Sequence, residues 1–436
     1  MGGREQQSTV GDYVTLVRGT TYKGVLVGKP GPALLGLGSI EPGGGFRIAD
    51  YKTYGGECPE ELMLFPGDIF ASLKGATKDG KMIGSVARVP STVPTGRLTQ
   101  DTVKLVFRNP NSADKSYLHW VLRTPQYREY CAGHAMGSAV VALSRRDFLE
   151  YPVPPPTDER RAAVALFDAI EERIDINRRM NETLQAIARA LFKSWFVDFD
   201  PVRARAENLD PGLPKQIASL FPDSFEDSEL GEIPKGWKVG TLADFSTLNP
   251  EAWSKDTRPT AIRYVDLANT KWGRVEVVTV YAAQDAPSRA QRVLRLGDTI
   301  VGTVRPGNGS YALISEDGLT GSTGFAVLRP RQVQYVQFVY LAATTAENIE
   351  ALQHLADGGA YPAVRPEVVA ATQAIKPSDG VINRFSRLAG ALLAKVAENE
   401  RESRTLAALR DTLLPELVSG DLRLSSLLSK AERVTT

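Results

Sequence analysis

The sequence predicts an α+β protein built from two related globular domains, each followed by one long helix. The first observation is a repeat: NRRMNETLQAIARALF at 177–192 is matched 222 residues later by NERESRTLAALRDTLL at 399–414. The second is that Gly67-Asp68-Ile69 matches Gly297-Asp298-Thr299 at an offset of 230. The third is that short strand-like runs precede each helix-like segment. A period this long indicates a duplicated domain-plus-helix unit and not a solenoid repeat.

The predicted elements follow one another in the order that this duplication requires. Strand-like runs occur at 103–107 in the first domain and at 273–280 and 324–328 in the second. The predicted ranges are a first domain at 1–156, a first long helix at 157–197, a hinge at 198–237, a second domain at 238–377, a second long helix at 378–420 and a C-terminal tail at 421–436.

The first long helix is predicted from its start signal and from its apolar spacing. Thr157-Asp158-Glu159 offers an N-cap side chain and acidic residues for the first turn. From there to Phe196 the sequence has no Pro or Gly, and apolar residues recur at 166, 170, 174, 180, 184, 187 and 191. The predicted helix has about 38 residues and is roughly 57 Å long.

Each long helix places an asparagine at the same position of the repeat, Asn177 and Asn399. A long apolar stripe must pair with the other helix or with another protein. We expect two antiparallel helices that form a coiled-coil-like spacer between two domains related by a pseudo-twofold axis. A buried asparagine at the crossing would fix the register at some cost in stability. The alternatives are that each helix packs on its own domain and that the asparagines are solvated.

The composition is that of an ordinary soluble protein. Charged residues make up 24% of the chain and the net charge is +1, which is low for a protein that grips DNA alone through phosphates. No run of 18 apolar residues predicts a membrane helix, and the first residues do not resemble a signal peptide. The two cysteines, Cys58 and Cys131, cannot form a disulfide framework. We expect a cytoplasmic protein with no membrane partner.

The motifs of common catalytic centres are missing from the sequence. It contains no GxxxxGK[ST], HExxH, CxxC or GxSxG, and its three histidines lack metal-ligand spacing. Asn249-Pro250-Glu251-Ala252 is better explained as a turn than as a methyltransferase motif. Pro222-Asp223 is not followed by the acid-x-Lys of a nuclease. We therefore expect no catalytic residues, no metal site and no cofactor bound by this chain.

Several segments closely resemble the DNA-specificity subunit of type I restriction-modification enzymes. LFKSWFVDFDPVRARAE at 191–207 and FPDSFEDSELGEIPKGW at 221–237 resemble the hinge of that family. GDIFAS at 67–72 and GDTIVG at 297–302 resemble its "GDI" strand, and Ser322-Thr323-Gly324-Phe325 and Gly137-Ser138/Gly359-Ala360 resemble its later motifs. The resemblance covers essentially the whole chain in the expected order.

The resemblance implies a non-enzymatic subunit of a restriction system. Each globule would be a target-recognition domain that reads one half of a split, asymmetric site on double-stranded DNA. The helices would set the gap and dock two modification subunits, which hold S-adenosylmethionine for DNA methylation of adenine. Two restriction or motor subunits, which use ATP and Mg, would complete the enzyme.

Base reading needs basic and amide side chains on protruding loops, because Arg and Lys bind guanine and Asn and Gln bind adenine. The DNA-binding candidates of the first domain are Lys23, Lys74, Thr77, Lys78, Lys81 and Arg88. Those of the second are Arg258, Arg263, Lys271, Arg289, Arg292, Arg305, Asn308 and Tyr311. The loops after the two GDI strands, 74–81 and 305–311, are the strongest as units. At the helix ends, Leu191, Phe192, Trp195, Phe196, Leu413 and Leu414 are candidates for exposed side chains that bind a partner.

Two other functions remain compatible with the sequence. One is a stand-alone enzyme, either a DNA methyltransferase or a nuclease. The other is an orphan DNA-binding protein without restriction partners. Incubating the pure chain with S-adenosylmethionine, ATP and DNA distinguishes the first, and co-purification of a large modification subunit distinguishes the second.

Overall fold

A computed structural model describes residues 8–47, 51–75, 81–109, 111–137, 141–254, 257–359 and 361–419. The chain divides into two compact units, and the boundary falls inside both long helices. The first unit contains Met1–Ile176 and Glu402–Thr436, and the second contains Asn177–Arg401. Thr77, Lys78, Ser138, Ala360 and the predicted tail at 421–436 lie outside the described residues.

The chain is mixed helix and sheet, as predicted. The helices are α1 Val10–Tyr13, α2 Ser112–Val121, α3 Pro125–His134, α4 Arg145–Glu150, α5 Asp158–Phe196, α6 Asp200–Ala206, α7 Lys215–Ala218, α8 Leu242–Phe245, α9 Val336–Ala343, α10 Ala346–His354, α11 Pro366–Ala370, α12 Asp379–Leu413 and α13 Glu416–Ser419. The strands are β1 Val14–Arg18, β2 Ala33–Leu35, β3 Met63–Leu64, β4 Ile69–Ser72, β5 Val86–Arg88, β6 Gly96–Leu98, β7 Thr102–Phe107, β8 Phe225–Ser228, β9 Gly231–Pro234, β10 Lys238–Thr241, β11 Ser246–Leu248, β12 Ala261–Val265, β13 Thr270–Lys271, β14 Arg274–Val275, β15 Thr279–Ala282, β16 Ala290–Leu294, β17 Thr299–Gly302, β18 Tyr311–Leu313, β19 Leu319–Ser322, β20 Phe325–Pro330 and β21 Gln373–Lys376. The run predicted as one strand at 273–280 is interrupted between β14 and β15.

The two units repeat one sheet framework, which confirms the duplication. In the first unit an antiparallel sheet has the order β1-β7-β4-β5, and in the second the order is β11-β20-β17-β18. Beside it, β2 runs parallel to β6, which pairs antiparallel with β3. The same arrangement recurs as β12, β19 and β16, with β15 added at one edge.

The repeated Gly-Asp pair makes the turn that enters the central strands β4 and β17. Gly67 and Gly297 both have φ of 87°, a conformation that favours glycine. The carboxylate of Asp68 accepts a hydrogen bond from the Phe65 amide at 3.0 Å, and that of Asp298 accepts one from the Arg295 amide at 2.8 Å. This motif therefore shapes the backbone and places the loop that follows each strand.

The two long helices pack antiparallel in each unit, and of the two positions left open for the asparagines the structure shows the buried one. In the second unit, Asn177 Nδ2 donates to the carbonyl of Asn399 at 3.4 Å, and Asn399 Nδ2 donates to Asn181 Oδ1 at 2.8 Å. Asn177 and Asn399 are fully buried. In the first unit, Arg173 binds Glu402 through Nε at 2.9 Å and Nη2 at 3.0 Å. Residue numbers rise along one helix as they fall along the other.

The apolar stripe predicted for α5 is partly wrong. Its residues Leu166, Met180 and Ile187 are exposed, Ile187 by 50%. The buried face instead contains Ala163, Phe167, Ile170, Asn177, Asn181, Ala188, Phe192 and Trp195, which are three, four or seven residues apart along the helix. This buried face, the seam between α5 and α12, includes small and polar residues. A prediction based only on large apolar side chains therefore misses them.

The prediction that the helix-end aromatics are exposed is wrong as well. Phe192, Trp195 and Phe196 are buried in the core of the second unit, and Leu191 packs against the same core. The hinge folds over them, because its own apolar residues Phe199, Val202, Ile217, Phe221, Ile233 and Trp237 are buried in that core. In the first unit, Leu413 and Leu414 are buried beside Phe167 and Trp120. None of these six side chains is a free contact surface.

A partly buried charge network fastens the sheet and helices of the first unit to α5 and α12. Glu171 on α5 pairs with Arg88 at 3.0 Å, with Arg123, and with Arg410 on α12 at 3.9 Å. Asp168, one turn earlier, accepts hydrogen bonds from Arg88 Nη2 and Trp120 Nε1, both at 2.9 Å. Burial by itself would raise the pKa of Glu171, but the guanidinium groups of Arg123, Arg88 and Arg410 lower it below its ordinary value.

We predict that Glu171→Gln lowers the free energy of unfolding by about 3 kcal/mol at neutral pH, because the buried Arg123 loses its carboxylate partner and Arg88 keeps only Asp168. Since the folded-state pKa of Glu171 lies below the unfolded value, its contribution is present above pH ~4.3 and disappears as the pH falls through the folded pKa. Denaturant unfolding between pH 3 and 7 measures it. Glu172→Gln, at the exposed neighbour, is the matched control. Equal stability of both variants at pH 7 would contradict the network's role.

Candidate nucleic-acid interface

Each domain brings two loops together beyond the end of its central strand. We call them the strand-end loop, described residues 73–75 with 81 and 303–310, and the companion loop, described residues 136–137 with 141–142 and 357–359 with 361–363. In the first unit Lys74 pairs with Ala142, and in the second Val304 pairs with Ala363, both as antiparallel bridges. The Gly75 amide donates to the Val141 carbonyl at 2.8 Å, and the Arg305 amide donates to the Pro362 carbonyl at 2.7 Å. The same backbone pairing thus joins both loop pairs.

The loop pair of the second domain presents a basic and aromatic surface. Arg305 has a left-handed backbone with φ of 48°, and its guanidinium lies 4.7 Å from the centre of the Tyr361 ring. Tyr361, in the companion loop, is 72% exposed, and Asn308 is exposed in the strand-end loop. A guanidinium over an aromatic face is held in a defined plane. Tyr361 was not predicted from the sequence, although it lies two residues after Gly359 of the recognised motif.

The loop pair of the first domain has different side chains on the same backbone framework. Lys74 Nζ is 2.9 Å from Asp101 Oδ1, and Lys81 is exposed. Met136 of the companion loop is exposed where the second domain has Asp357. The shared framework therefore carries two chemically distinct surfaces.

Two of the predicted DNA-binding residues are instead structural. Arg88 is held by Asp168, Glu171 and the hydroxyl of Ser116 at 3.0 Å, so its charge is used inside the first unit. Tyr311 is buried, and its hydroxyl is 3.4 Å from Nη2 of Arg189 on α5. Both residues follow the strand-end loops in sequence, but their side chains point into the structure.

The remaining candidates lie outside the two loop pairs. Arg263 pairs with Glu316 at 3.1 Å on the sheet of β12, and Arg258, Arg289 and Arg292 flank or belong to that same sheet. Lys271 Nζ is 3.4 Å from Ser310 Oγ, at the end of the strand-end loop. Lys23 is exposed before the short 3₁₀ turn Gly24–Leu26 of the first domain. No described contact joins Lys23 or these arginines to the loop pairs.

The described residues contain neither a metal cluster nor a membrane helix. Within these ranges no three His, Cys, Asp or Glu side chains are grouped so as to hold a metal ion. His119 is buried, and burial together with Arg88, Arg123 and Arg410 holds its pKa well below the ordinary value, so it is neutral. None of the described helices has both the length and the apolar composition that a membrane crossing needs.

Known proteins similar to this chain share one description. It is 24% identical over 321 residues to the type I restriction enzyme HindI specificity subunit of Haemophilus influenzae, covering 62% of this chain and 68% of that protein. It is 23% identical over 345 residues to the MjaIX specificity subunit of Methanocaldococcus jannaschii, covering 74% and 73%. No family model matches the chain.

Among solved structures, the chain resembles the type I restriction-modification S subunit from M. genitalium. The TM-score is 0.55 at 14% identity, and the match covers 96% of this chain and 98% of that one. The fold is therefore that of a type I specificity subunit. The resemblance predicted from the hinge and GDI segments is confirmed: the chain is related to the specificity subunits of type I restriction enzymes.

Proposed function

We propose that this chain is the DNA-recognition subunit of a type I restriction-modification complex and that each domain reads one half of a bipartite, asymmetric site. The observation that carries the proposal is the pair of loops that each domain builds with the same backbone bridges. The framework is repeated, but the side chains of the two loop pairs differ: Arg305, Asn308 and Tyr361 in the second domain, and Lys74, Lys81 and Met136 in the first. Identical scaffolds with different loop side chains are what reading two different half-sites requires.

The second loop pair suits the major groove. A guanidinium can donate two hydrogen bonds to O6 and N7 of guanine, and an amide can pair in the same way with adenine. Because Arg305 lies over Tyr361, less side-chain freedom is lost when it meets a base. The near-neutral net charge of +1 fits a subunit whose partners share the phosphate contacts.

The long helices would set the gap between half-sites and dock two modification subunits. The helix-end aromatics are used in the core, so we assign docking to the outer face of α5. Met180 and Ile187 are exposed there in the second unit and are seven residues apart, which places them on one side of the helix. In this proposal S-adenosylmethionine, ATP and Mg bind to modification and motor subunits, and this chain has no catalytic role.

Exchanging the second domain tests whether each domain reads its half-site independently. Lys238 and Lys376 are direct partners in the β10–β21 pairing, so both ends of this segment leave the domain side by side. Replacing 238–376 with the matching segment of a relative should change one half-site and leave the other half-site and the gap unchanged. Mapping methylated adenines in cells that carry the chimera or the parent gives the result. A change in both half-sites, or in neither, would refute independent reading.

Arg305→Ala tests the assignment of a reading residue. If Arg305 pairs with guanine, discrimination at one base pair should fall by about 1–3 kcal/mol and the other positions should keep theirs. Binding to the selected duplex and to its single-base variants measures this effect, with Arg387→Ala, at an exposed site on α12, as the control. A uniform loss on all sequences, with the salt slope lower by about one, would mean that Arg305 contacts only phosphate.

A further inference from the structure

Trp272 occupies a backbone position that tryptophan rarely adopts. It begins the two-residue turn between β13 and β14, where Lys271 pairs with Arg274. Trp272 and Gly273 have φ of 48° and 90°, as in a type I′ turn, which normally takes Asn-Gly. A bulky side chain in the left-handed region is strained and persists only where the surroundings hold it.

Trp272 and the strand-end loop of the second domain stabilise each other through backbone hydrogen bonds and packing. The Trp272 amide donates to the Gly309 carbonyl at 2.7 Å, and the Gly273 amide donates to the Tyr311 carbonyl at 2.9 Å. The indole lies so close to Gly309 that a Cβ added there would be 2.5 Å from Trp272 Cδ2. Gly309 closes the short 3₁₀ turn Pro306–Asn308, which follows Arg305 directly. The indole therefore packs on the base of the loop that carries Arg305 and Asn308.

The support continues from the tryptophan to the first long helix. The rings of Trp272 and Tyr311 meet edge to face, with centres 6.1 Å apart. Arg189 on α5 lies 5.9 Å from the Tyr311 ring centre and donates to the Thr344 carbonyl at 2.9 Å. A Cβ on Gly273 would be 2.7 Å from the Tyr340 hydroxyl, so Tyr340 packs closely against the inner side of the turn. The inner side of the Trp272 turn is thus fixed within the second unit.

We propose that Trp272 is a positioning residue that holds the second strand-end loop in the conformation in which Arg305 and Asn308 meet their bases; this inference rests on the proposed function. An indole that only filled the core would be buried in an unstrained backbone, whereas Trp272 is 51% exposed. The left-handed backbone of Trp272 is explained if the indole is required against Gly309 and the turn adopts a strained conformation to place it there. Trp272 acts through Gly309 and is not itself assigned to a base.

Trp272→Asn is the decisive variant, because asparagine suits the type I′ turn and removes only the indole. The full chain, purified with its partner subunits, is titrated with the duplex that the parent protein selects from a randomised library. Single-base variants of that duplex are titrated alongside it. We expect the melting temperature to be kept and discrimination at the Arg305 position to fall about tenfold, a loss of ~1.4 kcal/mol. The other half-site and the salt slope should not change. Val280→Ala, at an exposed site on β15, is the matched control.

The other outcomes overturn the inference in distinguishable ways. Unchanged discrimination in a stable Trp272→Asn variant would show that the loop needs no indole support. An equal loss on every sequence, with a smaller salt slope, would show that Trp272 contacts the DNA backbone. Trp272→Phe is a second test, because it keeps an aromatic ring at this position. If this variant does not recover part of the discrimination that Trp272→Asn loses, packing of the ring on Gly309 is not the cause. A parent protein that selects no sequence would overturn the proposed function as well.

Discussion

The antiparallel pairing of α5 and α12 is the constraint on which the rest of the structure depends. In each unit the domain core is completed by residues of these helices. A shift of one helix along the other would therefore disrupt the packing of each core. In the second unit, Asn177, Asn181 and Asn399 are buried in the seam and hydrogen-bond across it. Apolar residues there would bury more readily, but they would pair equally well after a shift of one heptad. The buried asparagines specify a unique register of the two helices at some cost in folding stability.

The two domains attach to their helices at matching places with different chemistry. In the first unit Ser116 donates to Asp168 at 2.5 Å, and Arg88 and Arg123 converge on Glu171. In the second unit Ser386 donates to Gln337 at 2.8 Å, beside an aromatic cluster built around Phe192 and Phe385. Neither attachment involves Arg305, Asn308 or Tyr361 of the loop pair. The loops can therefore vary in sequence without loosening a domain from its helix.

The sequence predicts what is periodic or local and misses what depends on distant contacts. The duplication, the long helices and the matched positions of Asn177 and Asn399 were predicted because each leaves a repeat in the sequence, whereas the burial of the two asparagines was left open. Arg88 was misassigned because its partners Asp168 and Glu171 lie about 80 residues away and are brought to it only by folding. The burial of Phe192 and Trp195 required the fold of the hinge. Tyr361 and Trp272 were missed because neither belongs to a periodic pattern, and their importance comes from Arg305 and Gly309 beside them.

The central claim, two independent readers on one helical frame, is tested most directly by selecting sequences from a randomised duplex library. The full chain with its partner subunits is the bait, and the library must exceed the combined length of two half-sites and a gap. The account predicts two enriched blocks of different sequence, separated by unselected base pairs of one fixed number. A single continuous block, or two blocks at variable separation, would contradict it.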